Sequence, residues 1–163
     1  MYKIGEYVVY RQLSVCVIEA IETPSFERDK TKLYYRLRPV FDNVNDTVIY
    51  VPQQAQDGMR AVVGEKEIKA AMRALPTVKP VVFATKKPPQ LTAHYQEILA
   101  SADVLKYLSL LKEVALKEKS GAKKLSEIDI RFRNKTERLV CEEFAVALGQ
   151  TPSEVKTAVY DLI

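Results

Sequence analysis

Tryptophan is absent from these 163 residues, histidine occurs once, cysteine twice, and only five residues are glycine. Each shortage removes a class of chemistry. His94, with Cys16 and Cys141 far from it and from each other, offers no metal-ligand spacing. The glycines stand singly at 5, 58, 64, 121 and 149, so no glycine-rich loop is present to cradle a phosphate. His94 lies beside Tyr95 on an expected helix face with no serine or cysteine motif nearby. It reads as a solvated or cap-region histidine rather than a general base. Glu142 and Glu143 are neighbours on an expected helix, so they point in different directions and make a poor acid/base pair. With every place on the catalytic checklist empty, neither an enzyme, a cofactor nor a metal ion is expected.

Long apolar runs are also missing. No stretch approaches the roughly 18 apolar residues a membrane-spanning helix needs. Met1 to Glu6 leads directly into a strand with no basic or apolar leader, and the expected location is the cytoplasm. Cys16 and Cys141 then read as buried, reduced thiols.

What is present falls into two patterns. Over residues 1–63 short β-type segments follow one another: Tyr7 to Tyr10, Val15 to Glu22, Tyr34 to Arg38 and Ile49 to Pro52, with Met59 to Val63 behind them. Leu33, Tyr35 and Leu37 alternate with Tyr34, Arg36 and Arg38, the period of a half-buried strand. Segments 23–30 and 41–46 are rich in turn formers. Four or five short strands at this spacing predict a small bent sheet or barrel. After residue 64 the period becomes helical. Glu65 to Leu75 is a short helix, and 76–90, with four prolines and three lysines, reads as a stiff extended linker that packs little. Residues 91–163 hold about four helices: 92–100, Asp103 to Lys119, Leu125 to Leu148, and one opened by Thr151-Pro152-Ser153-Glu154. Gly121 and Gly149 stand where helix ends call for glycine. The fold class is therefore α+β, a β module at 1–63, a helix and linker at 64–90, and a helical bundle at 91–163.

Charge is distributed unevenly on a chain of net +4. Residues 1–60 balance, with eight basic against eight acidic groups. Residues 117–135 carry seven basic groups (Lys117, Lys119, Lys123, Lys124, Arg131, Arg133 and Lys135) against three acidic ones. Such a patch is either a solvated helix–turn face or a weak phosphate-binding surface.

The order of the β segments, with Gly5, Val8-Val9-Tyr10, Val17 to Glu22 and Val51-Pro52 at matching spacing, resembles the CarD/CdnL family of bacterial transcription regulators. A similar module, of the small Tudor/SH3-like barrel kind, occurs in transcription–repair coupling factors. The resemblance implies that residues 1–63 dock on bacterial RNA polymerase, by analogy on its beta subunit. Addition of a partner strand at an edge within 32–38 or 47–51 is the expected mode, with Tyr34, Arg36, Arg38 and Tyr50 projecting outward. The helical half resembles the family over about residues 90–148. Leu91 stands in the place of the family's minor-groove tryptophan. It is either an apolar wedge between base steps or a hydrophobic staple ahead of a helix. Leu125, Ser126, Asp129, Ile130, Arg131 and Phe132 match the family's DNA-facing stretch with one basic residue lost to Ile130. The reading that follows is a transcription regulator that modulates open-complex stability. Its contact with upstream promoter DNA is weak and sequence-independent. A protein–protein adaptor that docks on polymerase without touching DNA is the alternative.

Overall fold

The structure is a computed structural model that describes residues 1–12, 14–42, 46–121 and 124–163. The chain divides into two compact units, Met1–Val62 and Val63–Ile163.

The first unit is a five-stranded antiparallel sheet curled into a half-barrel, built from β1 (Tyr7–Tyr10), β2 (Ser14–Glu22), β3 (Tyr34–Pro39), β4 (Ile49–Pro52) and β5 (Met59–Ala61). Strand order is β4-β3-β2-β1-β5, so β4 and β5 are the two edges. Val8, Cys16, Ile18, Tyr35, Leu37, Val51 and Met59 form its core. The β1–β2 hairpin holds Arg11 and Gln12 at positive φ (50° and 57°), a conformation that glycine adopts without strain. Between Ile18 and Ala20 the register of β2 against β3 shifts by one residue. This bulge changes which parity of β2 faces the core: Cys16 and Ile18 point inward before it, Ile21 after it. Glu19 is the extra residue, and its side chain joins those on the outer face.

The second unit is helical, with α1 (Glu65–Ala74), a 3-10 turn (Leu75–Thr77), α2 (Pro88–Ala100), α3 (Val104–Ser120), α4 (Glu127–Leu148) and α5 (Pro152–Leu162). Tyr95, Leu99, Tyr107, Leu108, Leu111, Val114, Phe132, Val140 and Phe144 supply most of the core. They recur at helical spacing because each helix buries one stripe. Helix ends follow local chemistry. Gly121 and Gly149 take left-handed φ of 64° and 67° beyond α3 and α4. Asp103 accepts from the Leu105 and Lys106 amides at 2.9 and 3.3 Å. Thr151 accepts from the Glu154 amide at 3.1 Å. A reciprocal capping box exists at Ser126 and Asp129, where the sequence pattern had drawn no notice.

The short helix and linker expected at 64–90 fall within this helical unit, and the 76–90 stretch, expected to pack little, makes contacts there. Lys112 donates to the carbonyls of Leu75 and Pro76 at 2.9 and 3.1 Å. Phe83 stacks on His94 with ring centroids 4.5 Å apart and planes 12° from parallel. Prolines do not prevent this, because Pro88 and Pro89 occupy the first turn of α2, where their missing N–H groups have no partner to lose.

Candidate functional site

Two surfaces gather the residues that sequence reasoning selected. The first is the outer face of β2, β3 and β4. The bulge at Glu19 lets two carboxylates of β2, Glu19 and Glu22, meet the arginines of β3. Arg36 donates to Glu19 and Glu22, both at 3.1 Å, and Arg38 donates to Glu19 and Asp46. The bond from Arg38, helped by Arg36, holds the Glu19 carboxyl below its ordinary pKa despite some burial. Tyr50 donates to Glu22 at 3.4 Å and Tyr34 to Glu27 at 2.5 Å. The arginines are thus tied down in a cross-strand network rather than held out as free cations. Tyr34 lies on the expected face but is only 9% exposed.

Phe26 covers it. This residue of the β2–β3 connection meets Tyr34 and Tyr50 edge-to-face, with centroids 5.7 and 5.5 Å apart, and remains 64% exposed. Sequence reasoning passed over Phe26 because it sits in a turn-rich segment with no periodicity. Its isolation as the one aromatic among polar residues there was the available signal.

The position of the edge corrects half of the expectation. β3 is flanked by β2 and β4, so 32–38 offers no free edge, whereas β4 does. The Gln53 amide donates to the Leu33 carbonyl at 3.0 Å. Antiparallel pairs alternate, and with the register Tyr35↔Val51 and Leu37↔Ile49 the ladder bonds of β4 fall on odd residues. Tyr50 therefore turns its N–H and C=O toward the free side.

The second surface is the corner of α3 and α4. Lys117 is not a surface cation there. Its side chain is 15% exposed and its ammonium lies 3.0 Å from Asp129 and 3.1 Å from the Tyr95 hydroxyl. Tyr95 donates to the same carboxylate at 2.6 Å, and Ser126 donates to it through both its amide and its hydroxyl. Burial alone would raise the Asp129 carboxyl, but the bonds from Tyr95, Lys117 and Ser126 outweigh it and hold the pKa below its usual value. Burial, then the bond to Asp129, pushes the Tyr95 phenol far up. A lysine satisfied in this way has little to offer a phosphate.

Leu91 is likewise withdrawn. It lies in the first turn of α2 rather than ahead of it, and is 7% exposed. It is neither a protruding wedge nor a residue preceding the helix. His94, expected in solvent, is bonded to the buried Glu113 carboxylate at 3.0 and 3.2 Å. Lys119, Lys124 and Arg131 are exposed, Lys135 is half-buried, and Arg133 is 3.7 Å from Glu118. Arg131 packs over the Phe132 ring at 5.3 Å. Lys123 lies outside the described residues. Among the described residues no cluster of His, Cys, Asp and Glu could hold a metal ion, and no helix is long and apolar enough to cross a membrane.

Residues 2–63, the extent of the curled sheet unit, match the family model described as CarD-like/TRCF RID domain. The chain matches no curated protein.

Proposed function

We propose that this chain, whose residues 2–63 belong to the CarD-like/TRCF RID family of RNA polymerase-interacting domains, docks on polymerase through the free edge of β4 and the aromatic face beside it. The beta subunit is the surface assigned by the family resemblance. The family match carries the reading, and two features of the sheet support it. Tyr50 turns an N–H and a C=O to the free side of β4, where they have no backbone partner among the described residues, and an added strand would satisfy them. Phe26, Tyr34 and Tyr50 supply apolar contact area next to it, of the kind that anchors protein interfaces.

Once docked, the helical unit meets upstream promoter DNA through Lys119, Lys124, Arg131, Arg133 and Lys135, and modulates open-complex stability. These groups contact phosphates, so binding is sequence-independent and sensitive to salt. Tethering raises the local concentration of this weak contact to about the millimolar range. The internal placement of Lys117 and Leu91 favours a second reading, in which the chain is an adaptor that binds polymerase and leaves DNA alone.

The deciding experiment uses the full chain. Tyr50→Pro removes the free-edge N–H and no ladder bond to β3, and is expected to abolish co-purification with polymerase while Tyr50→Phe retains it. Unchanged capture by Tyr50→Pro would refute the edge mode. Equal stimulation of open complexes by wild type and a Lys119→Glu, Lys124→Glu variant would leave the adaptor reading standing.

A further inference from the structure

The helical unit contains a cleft of about 510 Å3 whose lining includes Phe83, Lys86, Leu91, Lys117, Lys124 and Leu125. This size lies within the range of small-molecule sites, which span roughly 300–1,000 Å3. Its lining is apolar at Phe83, Leu91 and Leu125, with the more exposed Val82 and Ala84 beside them. Its rim carries three lysines and one acid, Asp129.

The charges do not cancel. Asp129 is fully engaged, accepting from Tyr95, Lys117 and Ser126, and with Lys117 it forms a neutral pair. Lys86 and Lys124 are exposed and have no ion-pair partner among the described residues. The rim therefore carries two uncompensated positive charges above an apolar floor.

One wall is fixed in place. Phe83 is stacked on His94 at 4.5 Å, and its amide donates to the buried Glu113 carboxylate at 3.5 Å. His94 bonds the same carboxylate. The wall thus needs no ordering when a ligand arrives, which lowers the entropic cost of binding.

From this arrangement we propose that the cleft is a binding site for a small amphipathic anion. Its aromatic or aliphatic body would rest on Phe83, Leu91 and Leu125, and its single acidic head would lie between Lys86 and Lys124. The site belongs to the helical unit, whereas the proposed docking edge belongs to the sheet unit. It would let a metabolite of this class act on the same corner of α3 and α4 that is proposed to meet DNA.

The test uses the full chain and two dyes that share one ring system. These are 8-anilinonaphthalene-1-sulfonate, which carries an acidic head, and N-phenyl-1-naphthylamine, which carries none. Wild type is expected to bind the sulfonate saturably at one per chain, shifting the amide resonances of residues 84–86 and 124–126. Lys86→Glu, Lys124→Glu should weaken the sulfonate at least tenfold and leave the neutral dye within twofold. Ala84→Trp, which fills the cleft from an exposed position, should abolish both while the melting temperature is retained. Absence of saturable binding, resonance shifts confined to other regions, or equal loss of both dyes in the charge variant would overturn the assignment.

Discussion

The outer face of the sheet and the α3–α4 corner use the same chemical parts: a carboxylate, basic groups and tyrosine hydroxyls. Their surroundings make them different devices. Around Glu19 the partners Arg36 and Arg38 are about one-third exposed, so water screens the network and competes for each bond. Around Asp129 the carboxylate is 8% and the lysine 15% exposed, so loss of one partner strands the other where water cannot replace it. The first arrangement keeps side chains in register on a surface open to a partner. The second pins α2, α3 and α4 together.

The sharpest way to break this comparison is to remove each carboxylate. Asp129→Ala deletes the Ser126 capping box and leaves Lys117 and Tyr95 without their acceptor, and is expected to cost about 3 kcal/mol. The melting temperature of the helical unit should fall by about 12 °C or more. Glu19→Gln should leave the denaturant midpoint indistinguishable from wild type. Equal effects of the two would show that exposure does not separate these networks.

A second test removes the exposed aromatic. Phe26→Ala deletes two edge-to-face contacts and an apolar anchor, and should weaken polymerase capture by roughly tenfold, measured by titration, with little loss of stability. If stability falls and capture does not, Phe26 is a lid over Tyr34 and no part of the interface.

Acid titration sharpens the contrast further. Both Glu19 and Asp129 have folded pKa values below their ordinary ones. Their contribution to stability is therefore complete above the unfolded carboxylate range, near about 4, and is lost as the pH falls through the folded values. The stability of wild type should drop below that pH, and Asp129→Asn should flatten the drop far more than Glu19→Gln. At high pH the Cys141 thiol, pushed up to about 11 first by burial and then by Glu137, should resist alkylation in the folded chain. A small effect of opposite sign is expected in the β1–β2 hairpin. There Gln12→Gly relieves a positive φ and should raise the melting temperature by a few degrees.

Much of this architecture is legible in the sequence because it depends on near neighbours. Alternation at 33–38 follows from the two-residue repeat of a strand, although Leu33 itself stays 45% exposed beyond the start of β3. Gly121 and Gly149 end α3 and α4 because a left-handed residue is needed there and glycine adopts it without strain. The stripe Val104, Tyr107, Leu108, Leu111 and Val114 buries itself for the same local reason. The family resemblance of residues 1–63 also rests on such short-range order, and the family match covers the same span.

The tertiary structure decided what became of the charged and aromatic groups. Lys117 belongs to a basic cluster in the sequence, yet its acceptor lies 12 residues away and the tyrosine that completes the site lies 22 residues away. Whether a lysine faces solvent or a buried carboxylate depends on which helices pack, and no local pattern carries that information. The bulge at Glu19 is of the same kind, since one extra residue in β2 becomes visible only when β3 supplies the register. Phe26 joined the aromatic face for a similar reason. Periodicity assigned the elements because it is written within a few residues, whereas ion-pair and ring partners depend on distances in space that only the packed chain defines.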